Sequence, residues 1–411
     1  MTESAAVKVL IIDAFSELHL EELRRLGLTV DYRPQLKAEE LPEAIGGATV
    51  VVARSKKVSK EAIERGRELT LIVRAGAGVN TIDVKSASGR GVYVANCPGK
   101  NSIAVAELTM GLLLALDRRI PDAVADLRAG VWNKKDYSKA DGLYGKTLGI
   151  VGLGSIGVEV AVRARAFGLK LVGWSRSLTD EKAAALGIQR ARSVPELCGL
   201  SDAVTLHLAL TPETRGLIGE AALTRMRERA MLINTARAEV VDTAALKRAI
   251  ADKGLRVATD VFDAEPAGAT GAFADELAKL PGVYGTHHVG ASTEQAQSAV
   301  ADETVRIVRA FVEEGEVPNC VNLATRSPAV YQLLVRHLDR VGVLAEVLGE
   351  IRRHDINVEE MENTIFEGAQ AASAKIRLSA RPPAELLETL RKSSESIIHL
   401  DVVELNRPAA T

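Results

Sequence analysis

Cysteine is scarce in this 411-residue chain: Cys97, Cys198 and Cys320 are far apart and odd in number. They build neither a disulfide framework nor a zinc-ligand spacing, which suits a reducing, cytoplasmic compartment and gives no metal site. Long apolar runs are missing as well. The longest, GLLLAL at 111–116, is too short to cross a bilayer, so no membrane span is expected. The opening MTESAAVKVLIIDAF has acidic residues early and runs straight into a strand pattern, unlike a secretory signal. An excess of one charge is also lacking. A net charge of −2 leaves no electrostatic footprint for nucleic acid or an anionic membrane. No tandem repeat or low-complexity tract is present. What remains, 47% hydrophobic and 26% charged residues, is core-forming material for a globular protein of two or three domains.

The apolar runs are short and regularly spaced. VKVLII, TVVVA, LTLIVRAG and VYVAN, within residues 7–96, read as buried parallel strands alternating with amphipathic helices. NCPGKNS (96–102) is a turn with Asn101 or Ser102 as helix N-cap, and the long helix after it is interrupted at Pro121. A second α/β series starts at KTLGIVGLG and continues through LKLVGW, DAVTLHL, AMLINTA, RVATDVF and VYGTHHVG. The helical stretch after 290 is too small for a domain and is expected to return to the first α/β unit. ATRSP (324–328) reads as a linker, and the remainder has a βαββαβ order, the ferredoxin-like plan. The expected fold class is therefore α/β. It comprises two doubly wound parallel-sheet domains (Rossmann or flavodoxin-like) and a ferredoxin-like C-terminal domain. The expected bounds are 1–98 joined by 291–325, then 99–290 inserted between them, then 326–411.

Gly152, Gly154 and Gly157 form a GxGxxG between a strand and a helix, with Gly168 closing that helix. This is the context in which such glycines cradle a dinucleotide pyrophosphate at a helix N-terminus. A further absence follows. The next strand, LKLVGW, should end in the Asp or Glu that grips the ribose 2′-hydroxyl of NAD; here Ser175 and Arg176 stand instead. Serine and arginine suit the 2′-phosphate of NADP. Arg176 turned to solvent would leave NAD in use, so both cofactors stay open.

Three later strand ends carry Arg237, Glu265 and His288. In an open α/β sheet, ligands sit beyond the carboxyl ends of the strands. An Arg grips a carboxylate, a His moves a proton near neutral pH, and a Glu behind the His orients it. The set suits hydride chemistry on a 2-hydroxy or 2-oxo acid. His287 and His288 are adjacent, so in extended chain only one of them reaches the cleft.

The motifs GKTLGIVGLGSIG, LTPETRGLI, LINTARAEVVD, DVFDAEP and HHVGAST resemble the D-isomer-specific 2-hydroxyacid dehydrogenase family over nearly all of residues 7–322. The resemblance implies catalytic roles for Arg237, Glu265 and His288. It also implies cofactor contacts from Ser155, Ile156, Thr211 and Asp260, the last to the nicotinamide carboxamide. Ala238 replaces the family's Gly after the Arg, and His287 its Pro before the His. ARSKKVSKEAI and LIVRAGAGVNTIDV are similar to a branch whose substrate carries a phosphate as well as a carboxylate. There Arg54 and Arg74 would meet the phosphate, the backbone of GAGV (76–79, with Gly78 and Val79) together with Arg237 would hold the carboxylate, and Ser55 and Asn101 are further substrate-binding candidates. Closure about hinges near Cys97–Pro98 and Gly290 would exclude water.

The C-terminal domain resembles an ACT module, a small amino-acid-sensing unit that pairs between subunits. His337, Asp339 and Asn357 fall at its effector positions, with serine the first candidate and a homodimer or homotetramer the expected assembly. Asp339 stands where relatives carry Asn, and Val341 where Pro is common, so a module that only mediates dimerisation stays open. Two rival functions are an NADPH-dependent reductase of an unphosphorylated 2-oxo acid and a dinucleotide-sensing corepressor.

Overall fold

Four-residue, β-branched runs make the first sheet. In the protein's structure, a computed structural model that describes residues 7–266, 270–324, 327–393 and 395–405, its strands are β1 (Lys8–Ile11), β2 (Thr29–Tyr32), β3 (Val50–Ala53), β4 (Leu71–Arg74) and β5 (Tyr93–Asn96). They pair in parallel in the order β2-β1-β3-β4-β5. The middle strands are buried on both faces, so they read as continuous apolar runs rather than alternations. β2, TVDY, was not expected from the sequence. It is a half-exposed edge strand with Asp31 in its middle, and so lacks the apolar signal.

The second sheet holds β6 (Thr147–Val151), β7 (Lys170–Trp174), β8 (Gln189–Arg190), β9 (Ala203–Leu206), β10 (Met231–Asn234), β11 (Arg256–Thr259) and β12 (Val283–Gly285). All are parallel, in the order β12-β11-β10-β9-β6-β7-β8. The two-residue edge strand β8 also escaped the sequence reading. The long helix ends at Arg118. Arg119 takes a left-handed turn (φ 51°), and Pro121 then sits in the first turn of the next helix, where its missing N–H costs no hydrogen bond.

Strand order reverses twice, between β1 and β3 and between β6 and β9. At such switch points adjacent loops leave in opposite directions and open a crevice for ligand. The helix Glu294–Glu314 belongs to the first sheet: Val305, Ile307 and Val308 pack against Val9, Ile11, Val50 and Val52. Thr293 starts it by accepting a hydrogen bond from the Ala296 N–H.

The chain divides into two compact units at Asn322 and Leu323. Residues 325 and 326, on which the expected linker and domain boundary fall, lie outside the described residues. The smaller unit has strands β13 (Tyr331–Leu338), β14 (Val358–Ile365), β15 (Ala371–Leu378) and β16 (Ile397–Glu404) with helices Val343–Arg353 and Ala384–Ser393 between them. The antiparallel order β14-β15-β13-β16 is that of a ferredoxin-like sheet. Its core is Leu333, Val335, Val347, Ile351, Ile376 and Leu386 among others.

Ile307 is fully buried between the returning helix and the first sheet. Ile307→Ala should cost about 2–5 kcal/mol, by lost transfer energy plus a cavity, read as a lower midpoint in denaturant unfolding.

Candidate active site

The glycines after β6 each meet a separate steric demand. A Cβ on Gly152 (φ 96°) would lie 2.2 Å from the carbonyl oxygen of His207, which directly follows β9 across the switch point. A Cβ on Gly157 would lie 2.0 Å from the Gly152 carbonyl oxygen, so the helix Ser155–Ala166 could not pack on the turn. Gly154 faces open space, and no side chain caps this helix. The free N–H groups of Ser155 and Ile156 at its first turn therefore present partial positive charge to an anion. The residues fit a dinucleotide pyrophosphate.

Beyond β7, a cavity of about 250 Å³ is lined by Leu153, Ser175, Ser177, Leu178 and Lys182. Ser177 and Lys182 were not singled out from the sequence; their signal was the continuation of WSRS into a lysine-bearing helix. Arg176 is exposed, and its charge lowers the pKa of Glu213, after stronger hydrogen-bond effects from Thr211 and the backbone. Thr211 is tied to Thr214 in the turn beyond β9.

Across the cleft, His288 Nδ1 and Glu265 Oε2 are 2.7 Å apart. The hydrogen bond to Glu265 raises the pKa of His288 and outweighs the opposing effect of burial. Burial works against the charge of Glu265. Its bonds with His288 and the Phe262 N–H nonetheless hold it below the ordinary carboxylate value. Among the described residues, the second ring nitrogen of His288 has no hydrogen-bond partner. β12 ends at Gly285, and His288 is left-handed (φ 53°), so the expected alternation of His287 and His288 in extended chain does not apply. The turn is held by Asp260. Its buried carboxylate accepts from Thr286 Oγ1, Val289 N–H and Gly290 N–H at 2.6–2.8 Å. That carboxylate is thus engaged in shaping the His288 loop.

Three arginines face the same region. Arg237 lies against Gly78, where a Cβ would come within 2.7 Å of its Nη2. Arg74, at the end of β4, lies over Gly76, where a Cβ would meet its Nη1 at 1.6 Å. Bare backbone is what lets both guanidinium groups into the cleft. Burial, then the charge of Arg237, lowers the pKa of Arg74, and Arg54 at the end of β3 adds to this. Arg74 Nε, Asn101 Oδ1 and Ser102 Oγ are buried without a hydrogen-bond partner among the described residues. Val79 is partly buried, its side chain packed against the first sheet's cluster of Leu10, Val51, Ile72 and Val94. Ser55 turns inward, donating its hydroxyl to Asp13 at 2.8 Å rather than to the cleft. Asp13 was itself overlooked, although a carboxylate directly after VKVLII was a readable signal.

The effector residues in the small unit do not converge within one chain. His337 is buried, with its ring nitrogens against the Leu338 carbonyl and Asn363 Oδ1. Asn357 lies beyond the opposite end of the sheet, beside Ser379 and Glu359. The strand register separates the two by more than six residue levels, on the order of 20 Å. Asp339 is exposed at the His337 end.

This architecture defines a dinucleotide-binding oxidoreductase with an Arg, a Glu–His pair and an anion-binding wall. Residues 110–290 match the D-isomer specific 2-hydroxyacid dehydrogenase, NAD binding domain. The chain is 37% identical over 408 residues to the D-3-phosphoglycerate dehydrogenase of Methanocaldococcus jannaschii, covering 98% of this chain and 75% of that protein. It is 33% identical to that of Rattus norvegicus, covering 94% and 71%. Two solved structures are similar. One is the NAD⁺-bound 3-phosphoglycerate dehydrogenase of Entamoeba histolytica, with 28% identity, TM-score 0.65 and coverage of 78% of this chain and 99% of that one. The other is a glyoxylate reductase of Paecilomyes thermophila, with 28% identity, TM-score 0.69 and coverage of 77% and 98%. The chain belongs to the D-isomer specific 2-hydroxyacid dehydrogenase family. It is an NAD(P)-dependent dehydrogenase, and no described helix is long and apolar enough to cross a membrane.

Histidine-resolved NMR titration should place His288 above the ordinary imidazole value of about 6.5. Glu265→Gln should bring it down, because the ion-pairing partner is gone while burial remains.

Proposed function

We propose that the protein oxidises 3-phospho-D-glycerate to 3-phosphooxypyruvate with NAD(P)⁺, the step that commits a glycolytic carbon skeleton to serine. The observation that carries this reading is the trio Arg54, Arg74 and Arg237 beside the His288–Glu265 pair. A substrate with a carboxylate at one end and a phosphate at the other needs cations at both. Arg237 would grip the carboxylate with the backbone of Gly78 and Val79, and polarise the C2 oxygen. Arg54 and Arg74 would hold the phosphate. A bound nicotinamide supplies the hydride acceptor. His288 takes the C2 hydroxyl proton as the C2–H bond breaks, and Glu265 stabilises the imidazolium. Because oxidation needs neutral imidazole and the His288 pKa is raised, the rate of oxidation should climb as pH rises through that value.

A steady-state assay with 3-phospho-D-glycerate and each cofactor is the direct test. His288→Ala should cut kcat by roughly 10²–10⁴ with little change in KM, and His287→Ala should be nearly silent. Turnover confined to unphosphorylated 2-oxo acids would instead favour a glyoxylate or hydroxypyruvate reductase. That second reading draws on the cofactor cavity.

For the cofactor we favour NADP. Ser175, Ser177 and Lys182 around one cavity, with the exposed Arg176 between the two serines in sequence, offer hydroxyls and cations to a 2′-phosphate and no carboxylate to a 2′-hydroxyl. Ser175→Asp with Arg176→Ile should shift preference toward NAD by about tenfold or more in kcat/KM. Wild-type protein already strongly selective for NAD would refute this.

The ferredoxin-like unit we read as an amino-acid-sensing module of a cytoplasmic homo-oligomer, with serine as its candidate effector. Since His337 and Asn357 stand at opposite ends of one sheet, a site using both would draw them from two copies.

A further inference from the structure

We propose that Asp13 is a positioning residue for the phosphate end of the substrate, acting through the loop that carries Arg54. The proposal rests on the reading that Arg54 meets the phosphate.

Asp13 follows β1, and Arg54–Lys56 follow β3. These are the two strands between which the first sheet reverses its order. At that point the loops leave in opposite directions, and the strand ladder no longer ties them together. The Asp13 carboxylate does so instead. Its Oδ2 accepts from the backbone N–H groups of Arg54 at 2.7 Å, Ser55 at 3.1 Å and Lys56 at 3.3 Å. Its Oδ1 accepts from Ser55 Oγ at 2.8 Å. Four bonds, three on Oδ2 and one on Oδ1, commit this carboxylate to the loop. It is buried. Lys56 completes the anchor from below, with its ammonium on the Ile12 and Pro34 carbonyl oxygens at 2.5 Å. Of the basic residues in the loop RSKK, Arg54 is the one among the main influences on Arg74.

Charge and geometry make opposite demands here, and this makes the role testable. Asp13 is a negative charge within electrostatic reach of Arg74. If only its field mattered, removing the charge would strengthen an anion site. If it positions the loop, removing it weakens the site, because an amide oxygen in the place of Oδ2 lacks the charge that strengthens the three backbone N–H bonds, and the amide NH2 replaces the acceptor of the Ser55 hydroxyl.

Steady-state kinetics of the full chain should be measured with 3-phospho-D-glycerate and with D-glycerate, its unphosphorylated counterpart. Asp13→Asn should raise KM for the phosphorylated substrate by about tenfold or more, with kcat lowered no more than about threefold. KM for D-glycerate should move by less than about twofold. Ser55→Ala, which removes one of the four bonds, should act in the same direction but less. On an Arg54→Ala background, Asp13→Asn should add less than about twofold, since the group it positions is gone.

An unchanged or lower KM for 3-phospho-D-glycerate in Asp13→Asn would overturn the proposal. So would equal losses on both substrates, or effects that multiply fully on the Arg54→Ala background. If Asp13→Asn does not fold, Ser55→Ala decides, and no change in its phosphoglycerate KM refutes the idea. Arg54→Ala that leaves this KM unaltered would refute the phosphate reading itself. Arg54→Ala that raises it, while Asp13→Asn does not, would refute only the role of Asp13.

Discussion

Arg74 is held within electrostatic reach of both Arg237 and Arg54, and this crowding of like charge is the constraint around which the rest of the site is arranged. Left in water they would move apart. Here Arg74 is fixed by burial at the end of β4, and Arg237 is brought over from the second sheet. Gly76 and Gly78 clear the backbone beneath them. Negative charge is present but kept behind. Asp13 is engaged by its loop, and Glu265 by His288 and the Phe262 N–H. Neither carboxylate folds forward to neutralise the arginines. An anionic ligand would add to the compensation that these two carboxylates give at a distance.

Much of this was readable from residue order, for identifiable reasons. VVVA and MLIN are buried on both faces, so their apolar runs announce strands of a covered parallel sheet. Gly152 and Gly157 are needed because backbone carbonyl oxygens occupy the space a Cβ would take. Arg237, Glu265 and His288 stand just past strands, where a doubly wound sheet places its ligands. What escaped has equally definite causes. TVDY and QR are edge strands whose pairing depends on a neighbour rather than on composition. The left-handed backbone at His288 is imposed by Asp260 from another strand end. Asp13 acts on residues about forty positions away. The separation of His337 from Asn357 follows from strand register, which the βαββαβ order leaves unstated.

The two carboxylates Asp13 and Asp260 do parallel work on opposite walls. Each is buried, follows a strand, and gathers N–H groups from a neighbouring loop that bears a candidate reacting or binding side chain. Such backbone bonds to an ionised acceptor are stronger than neutral ones. They hold a loop without using the side chains that the chemistry needs. The glycine loop reaches the same end by sterics, since no substituent at Gly152 could coexist with the His207 carbonyl.

The returning helix Glu294–Glu314 has a consequence for how the chain comes into being. The five strands it covers are complete by Asn96, yet their face against Val305, Ile307 and Val308 stays uncovered until the helix has been made. At ~5–20 residues per second on a ribosome, that interval is on the order of ten seconds or longer. The second sheet draws its strands from Thr147–Gly285 alone and can form within it. The earliest strands synthesised are therefore among the last to be sealed. Until then Val9, Ile11, Val50 and Val52 present a nascent apolar surface of the kind that holdase chaperones engage.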